Sequence, residues 1–163
     1  MNGLRRATLR AGLAIAVLAA GCASPSRQPA AGADFWTGRL GLQIQSEPPQ
    51  SLSAAFELQG SPSHGELLLL SPVGSTLARL NWTPQSAELV QGGQRWTSSH
   101  LEQLTMQLTG TALPVAALFD WLSGRATAPL GWQVDLSQWP QGRIQAQRQD
   151  PAPAVQLKLL LDR

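Results

Sequence analysis

The chain has 163 residues, with 12 Lys+Arg against 10 Asp+Glu, one cysteine and a sequence pI of about 9.5. Three of the arginines, Arg5, Arg6 and Arg10, fall in the first ten residues; without them nine cations face ten acids, so the remainder is near neutral and gives no support to nucleic-acid binding. One cysteine excludes an internal disulfide, and the only two histidines, His64 and His100, belong to no triad or metal-ligand cluster in the sequence.

Residues 1–21 read as a signal peptide. The three arginines form a basic start, and the apolar run from Ala11 to Ala20 is too short to span a bilayer as a permanent helix. It ends in Leu18-Ala19-Ala20-Gly21-Cys22, which resembles a bacterial lipobox with its leucine one place further from the cysteine than usual. The resemblance implies that Cys22 becomes the mature N-terminus and carries diacylglycerol and an N-acyl chain. No other cofactor is expected. Each buried methylene contributes about 0.8 kcal/mol, so more than one chain anchors firmly. Ala23 stands where aspartate signals inner-membrane retention in enterobacterial lipoproteins, and is compatible with the outer membrane. Residues 22–34 hold the lipidated cysteine and a tether rich in Ala, Ser, Pro and Gly. Extended, its twelve residues after Cys22 span up to roughly 40 Å.

Residues 35–163 form one domain. Leu40, Leu42 and Ile44 alternate with Arg39, Gln43 and Gln45, and Pro48-Pro49 ends the run. Leu52, Ala54, Phe56 and Leu58 repeat the pattern against Ser51, Ser53, Glu57 and Gln59. Gly60-Ser61-Pro62 then turns the chain into two strand-like runs, 66–70 and 76–82, joined by Ser71-Pro72-Val73-Gly74-Ser75. The first run holds four consecutive leucines, Leu67 to Leu70, which cannot show period-2 alternation and read as a strand apolar on both faces. In the joining loop Pro and Gly suit a turn, whereas Val73 does not belong at a solvated tip on propensity alone. Ala87, Leu89 and a piece near Trp96 give two more strands around Gly92-Gly93. Short alternating strands in sequence indicate an antiparallel meander with one wet face.

The period then changes. Ser99 and Glu102 fit a capping box, Leu101, Leu104 and Leu108 follow at helical spacing, and Gly110 is a stop. A second helix starts at Leu113-Pro114, carries Leu118, Trp121 and Leu122 as its apolar stripe, and ends at Gly124. Strands resume with Trp132, Val134 and Leu136. Residues 143–149 read as a polar edge strand, and Val155, Leu157, Leu159 and Leu161 close the chain. Two short helices with apolar faces, set among strands, are expected to cover the open side of a curved sheet.

These residues resemble the outer-membrane lipoprotein LolB family. Pro72-Val73-Gly74-Ser75-Thr76 after a leucine-rich strand is similar to its proline–apolar–glycine–serine–threonine loop. Leu113-Pro114-Val115, Leu118, Trp121-Leu122 and Gly124 resemble its second helix; Gly38-Arg39-Leu40 and Gly131-Trp132 resemble two of its strands. The resemblance implies a mainly β fold with short helices, an unclosed antiparallel β-barrel of the LolA/LolB kind under a helical lid. It implies a monomeric, non-enzymatic receptor on the periplasmic side of the outer membrane. Its partners would be a LolA-type periplasmic carrier, acylated lipoproteins and outer-membrane lipids. Leu68, Leu70, Leu118, Trp121, Leu122 and Trp132 are the expected acyl-cavity liners. Pro72, Val73 and Gly74 form the expected membrane-insertion loop. Many family members carry a helix before the first strand; the tether leaves no room for one, so a smaller lid is expected.

The alternative reading is a glycan-binding lipoprotein. Six tryptophans and no tyrosine are present, and several coplanar indoles on an outer sheet face would favour sugar stacking. An enclosed aliphatic cavity would favour acyl chains.

Overall fold

The computed structural model describes residues 34–162; the signal segment, Cys22 and the tether up to residue 33 lie outside the described residues. Nine strands and two α-helices follow in order: β1 (Asp34–Ile44), β2 (Gln50–Gly60), β3 (Gly65–Leu70), β4 (Thr76–Trp82), β5 (Ala87–Gln91), β6 (Gln94–Ser98), α1 (Leu101–Thr109), α2 (Val115–Leu122), β7 (Trp132–Asp135), β8 (Arg143–Arg148) and β9 (Val155–Leu161). All strand pairs are antiparallel, in the order β6-β5-β4-β3-β2-β1-β9-β8-β7. The end strands β6 and β7 do not pair with each other, so the sheet is an unclosed barrel.

The alternation in sequence becomes a continuous apolar inner layer. Register aligns Leu58, Leu67, Leu80 and Leu89 across β2 to β5, with Trp96 beside them on β6. Ala54, Leu40, Leu159 and Ile144 continue the layer across β2, β1, β9 and β8. All of these but Trp96 are buried, and each fully buried leucine contributes about 1.5–3 kcal/mol.

The helices cover the open side. α1 packs on β4, β5 and β6. α2 presents Phe119 edge-on to Trp36 of β1 and Trp82 of β4, with ring centroids 5.4 and 6.2 Å apart. Among the described residues no helix is long and apolar enough to cross a membrane.

Three local expectations change. α1 begins after His100, not Ser99, and no side chain caps it in the usual sense. The Ser98 hydroxyl instead accepts the His100 N–H at 3.0 Å and donates to Gln103 Oε1 at 2.7 Å, one residue earlier than the Ser99–Glu102 box. Pro114 is the residue before α2, not its first position. β8 is flanked by β7 and β9, so it is no edge; Arg143, Gln145 and Gln147 face solvent while Ile144 and Ala146 face the core.

Because strand directions alternate, the connections β1–β2, β3–β4, β5–β6 and β8–β9, and the entry into β7, share one end of the barrel. The last turn of α1 reaches the same rim. Gly110, in left-handed conformation at φ 80°, closes the helix with its N–H on the Met106 carbonyl and sits against Gln50 and Ile44.

Candidate functional site

Between the inner layer and the helices lies a void of about 30 Å³, lined by leucines and phenylalanine from both sides. Leu40, Leu58, Leu67 and Leu69 come from the sheet, and Leu118 and Leu122 from α2. Thr109 is its only polar lining residue. The volume suits about one water-sized group, whereas small-molecule pockets run to about 300–1,000 Å³. Leu52, Leu108 and Thr109 are shared with an open cleft of about 270 Å³ at the rim, between the start of β2 and the last turn of α1. The interior is therefore apolar and tightly packed, and the last turn of α1 stands between it and the wider rim cleft.

The expected liners divide into three groups. Leu118 and Leu122 border the void. Leu68 and Leu70 do not, which corrects their expected place as liners; Leu68 is buried and Leu70 half-buried on the other face, so the strand is apolar on both. Register pairs Leu67 with Leu58 and Leu80 on the inner face, so Leu67 and Leu69 point inward. Leu68 stands outward between Glu57 and Arg79, and Leu70 opposite Ala55. Trp121 and Trp132 are buried but lie outside the lining: they pack on each other at 5.8 Å, and the Trp121 indole N–H donates to the Thr127 carbonyl at 2.7 Å. These indoles act as core staples, holding the segment after α2.

The lid has an inner polar seam that sequence reading missed. Thr105, Thr109 and Thr111 are buried. The Thr105 hydroxyl donates to the Glu102 carbonyl at 2.9 Å and accepts the Leu113 N–H at 3.0 Å. The Thr109 hydroxyl lies 2.9 Å from the Thr105 carbonyl oxygen and 2.8 Å from that of Thr111. α1 and the start of α2 are thereby joined into one piece. Arg148, inward on β8, ties that piece to the sheet by donating to the Thr111 hydroxyl at 3.0 Å, with its guanidinium 5.6 Å from the centre of the Trp132 ring. Its Nε is buried with no hydrogen-bond partner. The only sequence signal was the Thr105/Thr109 i,i+4 spacing followed by Thr111.

Pro72, Val73 and Gly74 form the tip of the β3–β4 hairpin at the rim. The Gly74 N–H donates to the Ser71 carbonyl at 2.9 Å and the Ser71 N–H to the Ser75 carbonyl at 2.8 Å, with Gly74 at φ 83°. This is a three-residue hairpin loop ending in a left-handed glycine. It leaves Val73 87% exposed.

None of the six tryptophans is exposed: Trp82, Trp121 and Trp132 are buried, and Trp36, Trp96 and Trp139 are half-buried against the core. No indole platform on the outer face supports glycan stacking. His64 is exposed on the β2–β3 turn, and His100 is exposed before α1.

Residues 35–158 match the family described as outer membrane lipoprotein LolB. The chain is 31% identical over 131 residues to the outer-membrane lipoprotein LolB of Chromobacterium violaceum, covering 76% of this chain and 71% of that protein. It is 35% identical over 130 residues to that of Thiobacillus denitrificans, covering 75% and 67%. With that of Bordetella pertussis the identity is 34% over 178 aligned positions, covering 91% and 88%. Unclosed sheet, helical lid, apolar interior and these similarities agree on one assignment: the chain belongs to the outer-membrane lipoprotein LolB family.

Proposed function

We propose that this protein is an outer-membrane receptor that accepts acylated lipoproteins from a LolA-type carrier, holds their acyl chains between sheet and lid, and inserts them into the outer membrane. The observation that carries the reading is the small, almost wholly apolar void beneath α1 and α2, set off from a rim cleft by one helical turn. An acyl chain crossing the periplasm needs apolar surroundings at each step, because every exposed methylene costs about 0.8 kcal/mol. In this reading the chain enters at the cleft, displaces the last turn of α1 and takes the place of lid–sheet contacts. Lid closure in the empty protein keeps those leucines out of water. Transfer direction follows if successive sites bind more tightly.

Cys22 is proposed to carry the lipid anchor that places the domain on the periplasmic side of the membrane. Cys22→Ser should leave the folded domain intact and release it from the membrane fraction; a variant that still pellets as an integral outer-membrane component would refute the anchor.

Val73 is proposed to enter the lipid interface while cargo leaves. One valine contributes about 1.5–3 kcal/mol when fully buried, enough to orient the protein and too little to anchor it. The test is a two-stage assay: carrier to protein, then protein to liposomes. Val73→Glu should preserve the first stage and slow the second, and Val73→Leu should match the parent. Equal loss of both stages would move Val73 into the acyl site; loss of neither would make the loop an ordinary hairpin.

A further inference from the structure

The sequence contains the order proline–large apolar–glycine at two tips: Pro72-Val73-Gly74 and Pro129-Leu130-Gly131. Leu130 is 94% exposed, more than Val73 at 87%. Single exposed leucines are common and need no function. What sets this one apart is how and where it is held. The Trp132 N–H donates to the Pro129 carbonyl at 2.9 Å, and Gly131 has φ 80°. That is a tight turn with Leu130 at its first central position and glycine at the second, where a left-handed conformation is required. A side chain at 131 would also collide with the Asp150 carbonyl, so the turn is closed against the β8–β9 connection. Behind it, buried Trp132 packs on Trp121. Leu130 is thus presented outward by a braced turn, like Val73.

Its place is the second observation. β7 is antiparallel to β8, so its entry lies at the end where β8 runs into β9. That is the rim shared by the β3–β4 tip and by the cleft beneath Gly110. Neither 71–75 nor 126–131 contains a charged residue. Uncharged, braced apolar tips fit the hydrocarbon boundary of a bilayer, where a protein partner would be met by a charged or polar rim.

We propose that Leu130 is a second lipid contact, which together with Val73 sets the rim on the membrane at two points; it rests on the reading of Val73 as a lipid contact. Two points fix a line on the surface, where one leaves the barrel free to swivel.

The test uses the full-length lipoprotein in phospholipid liposomes. Leu130→Cys, Val73→Cys and Ser63→Cys, the last on the β2–β3 turn at the opposite end, are each labelled with an environment-sensitive dye. The parent chain is taken through the same labelling as blank. Nitroxide groups on the lipid acyl chains should quench the dyes at 130 and 73 and spare the dye at 63. Leu130→Glu should slow release of cargo into liposomes about tenfold without changing thermal unfolding. Quenching at 73 with none at 130 overturns the second contact and leaves the first standing. Quenching at 130 with none at 73 overturns the two-point contact and leaves Leu130 as a single one. No quenching at either refutes both. A dye at 130 that shifts on adding the carrier without liposomes, and is not quenched in them, would assign the tip to the carrier and overturn the proposal.

Discussion

At the scale of single residues, the fold turns on parity. Leu40, Leu42 and Ile44 show their inward face by alternation with polar neighbours, and so do Ala54, Phe56 and Leu58. The run Leu67 to Leu70 has no polar neighbour to break the tie. Only its pairing with Leu58 and Leu80 turns Leu67 and Leu69 inward, and pairing is a long-range fact that periodicity does not contain. Trp121 and Trp132 were legible as apolar and inward, but the Thr127 carbonyl that takes the Trp121 N–H makes that indole a staple. Parity predicts unequal costs. Leu69→Gln should destabilise by more than about 3 kcal/mol, since it loses apolar burial and leaves an amide in the core. Leu68→Gln should cost less than Leu69→Gln, because Leu68, although buried, stands on the outer face between Glu57 and Arg79, which can pair with an amide. Urea unfolding of both variants measures the difference; equal losses would contradict the assignment of faces.

At the scale of elements, both helices and nearly every strand were readable from period and punctuation, and the details at their ends were not. The Ser99–Glu102 spacing matches a capping box, yet Ser98 holds the first turn, since a neighbouring serine offers the same hydroxyl and spacing does not choose between them. β8 looked like an edge because its outer residues are polar; in a sheet with one wet face an inner strand looks the same. The true edges, β6 and β7, are short, five and four residues long, which limits exposed pairing groups. The threonine seam makes the lid one piece, and this has a measurable consequence. Thr105→Val removes the acceptor of the Leu113 N–H, so that amide should lose protection in hydrogen exchange and stability should fall by about 1–3 kcal/mol. Thr111→Val removes the hydroxyl that accepts from Arg148 Nη2 and should speed entry of a lipophilic probe while lowering the melting temperature. A probe entry rate unchanged in Thr111→Val would mean that this contact does not hold the lid.

At the scale of the whole molecule, the proposed site and both exposed apolar tips lie at one end of the barrel. The cleft, the last turn of α1, the Val73 tip and the Leu130 tip share a rim, while the interior behind them leaves a void of only about 30 Å³. The unclosed sheet under a lid was legible because alternating strands interrupted by apolar-faced helices leave few other ways to bury both surfaces. The tight packing of the interior was not legible, since the same leucines can line an open pocket or pack together. The central claim is that cargo acyl chains lie between the inner sheet face and the helices. Its most direct measurement is photocrosslinking from a lipoprotein whose acyl chain carries a photoreactive group, with the modified residues mapped by mass spectrometry. Adducts are expected on Leu67, Leu69, Leu118 and Leu122, and none there with the unacylated cargo. Adducts confined to Leu68, Leu70 and the outer face, or equal labelling by a short water-soluble photoprobe, would contradict it.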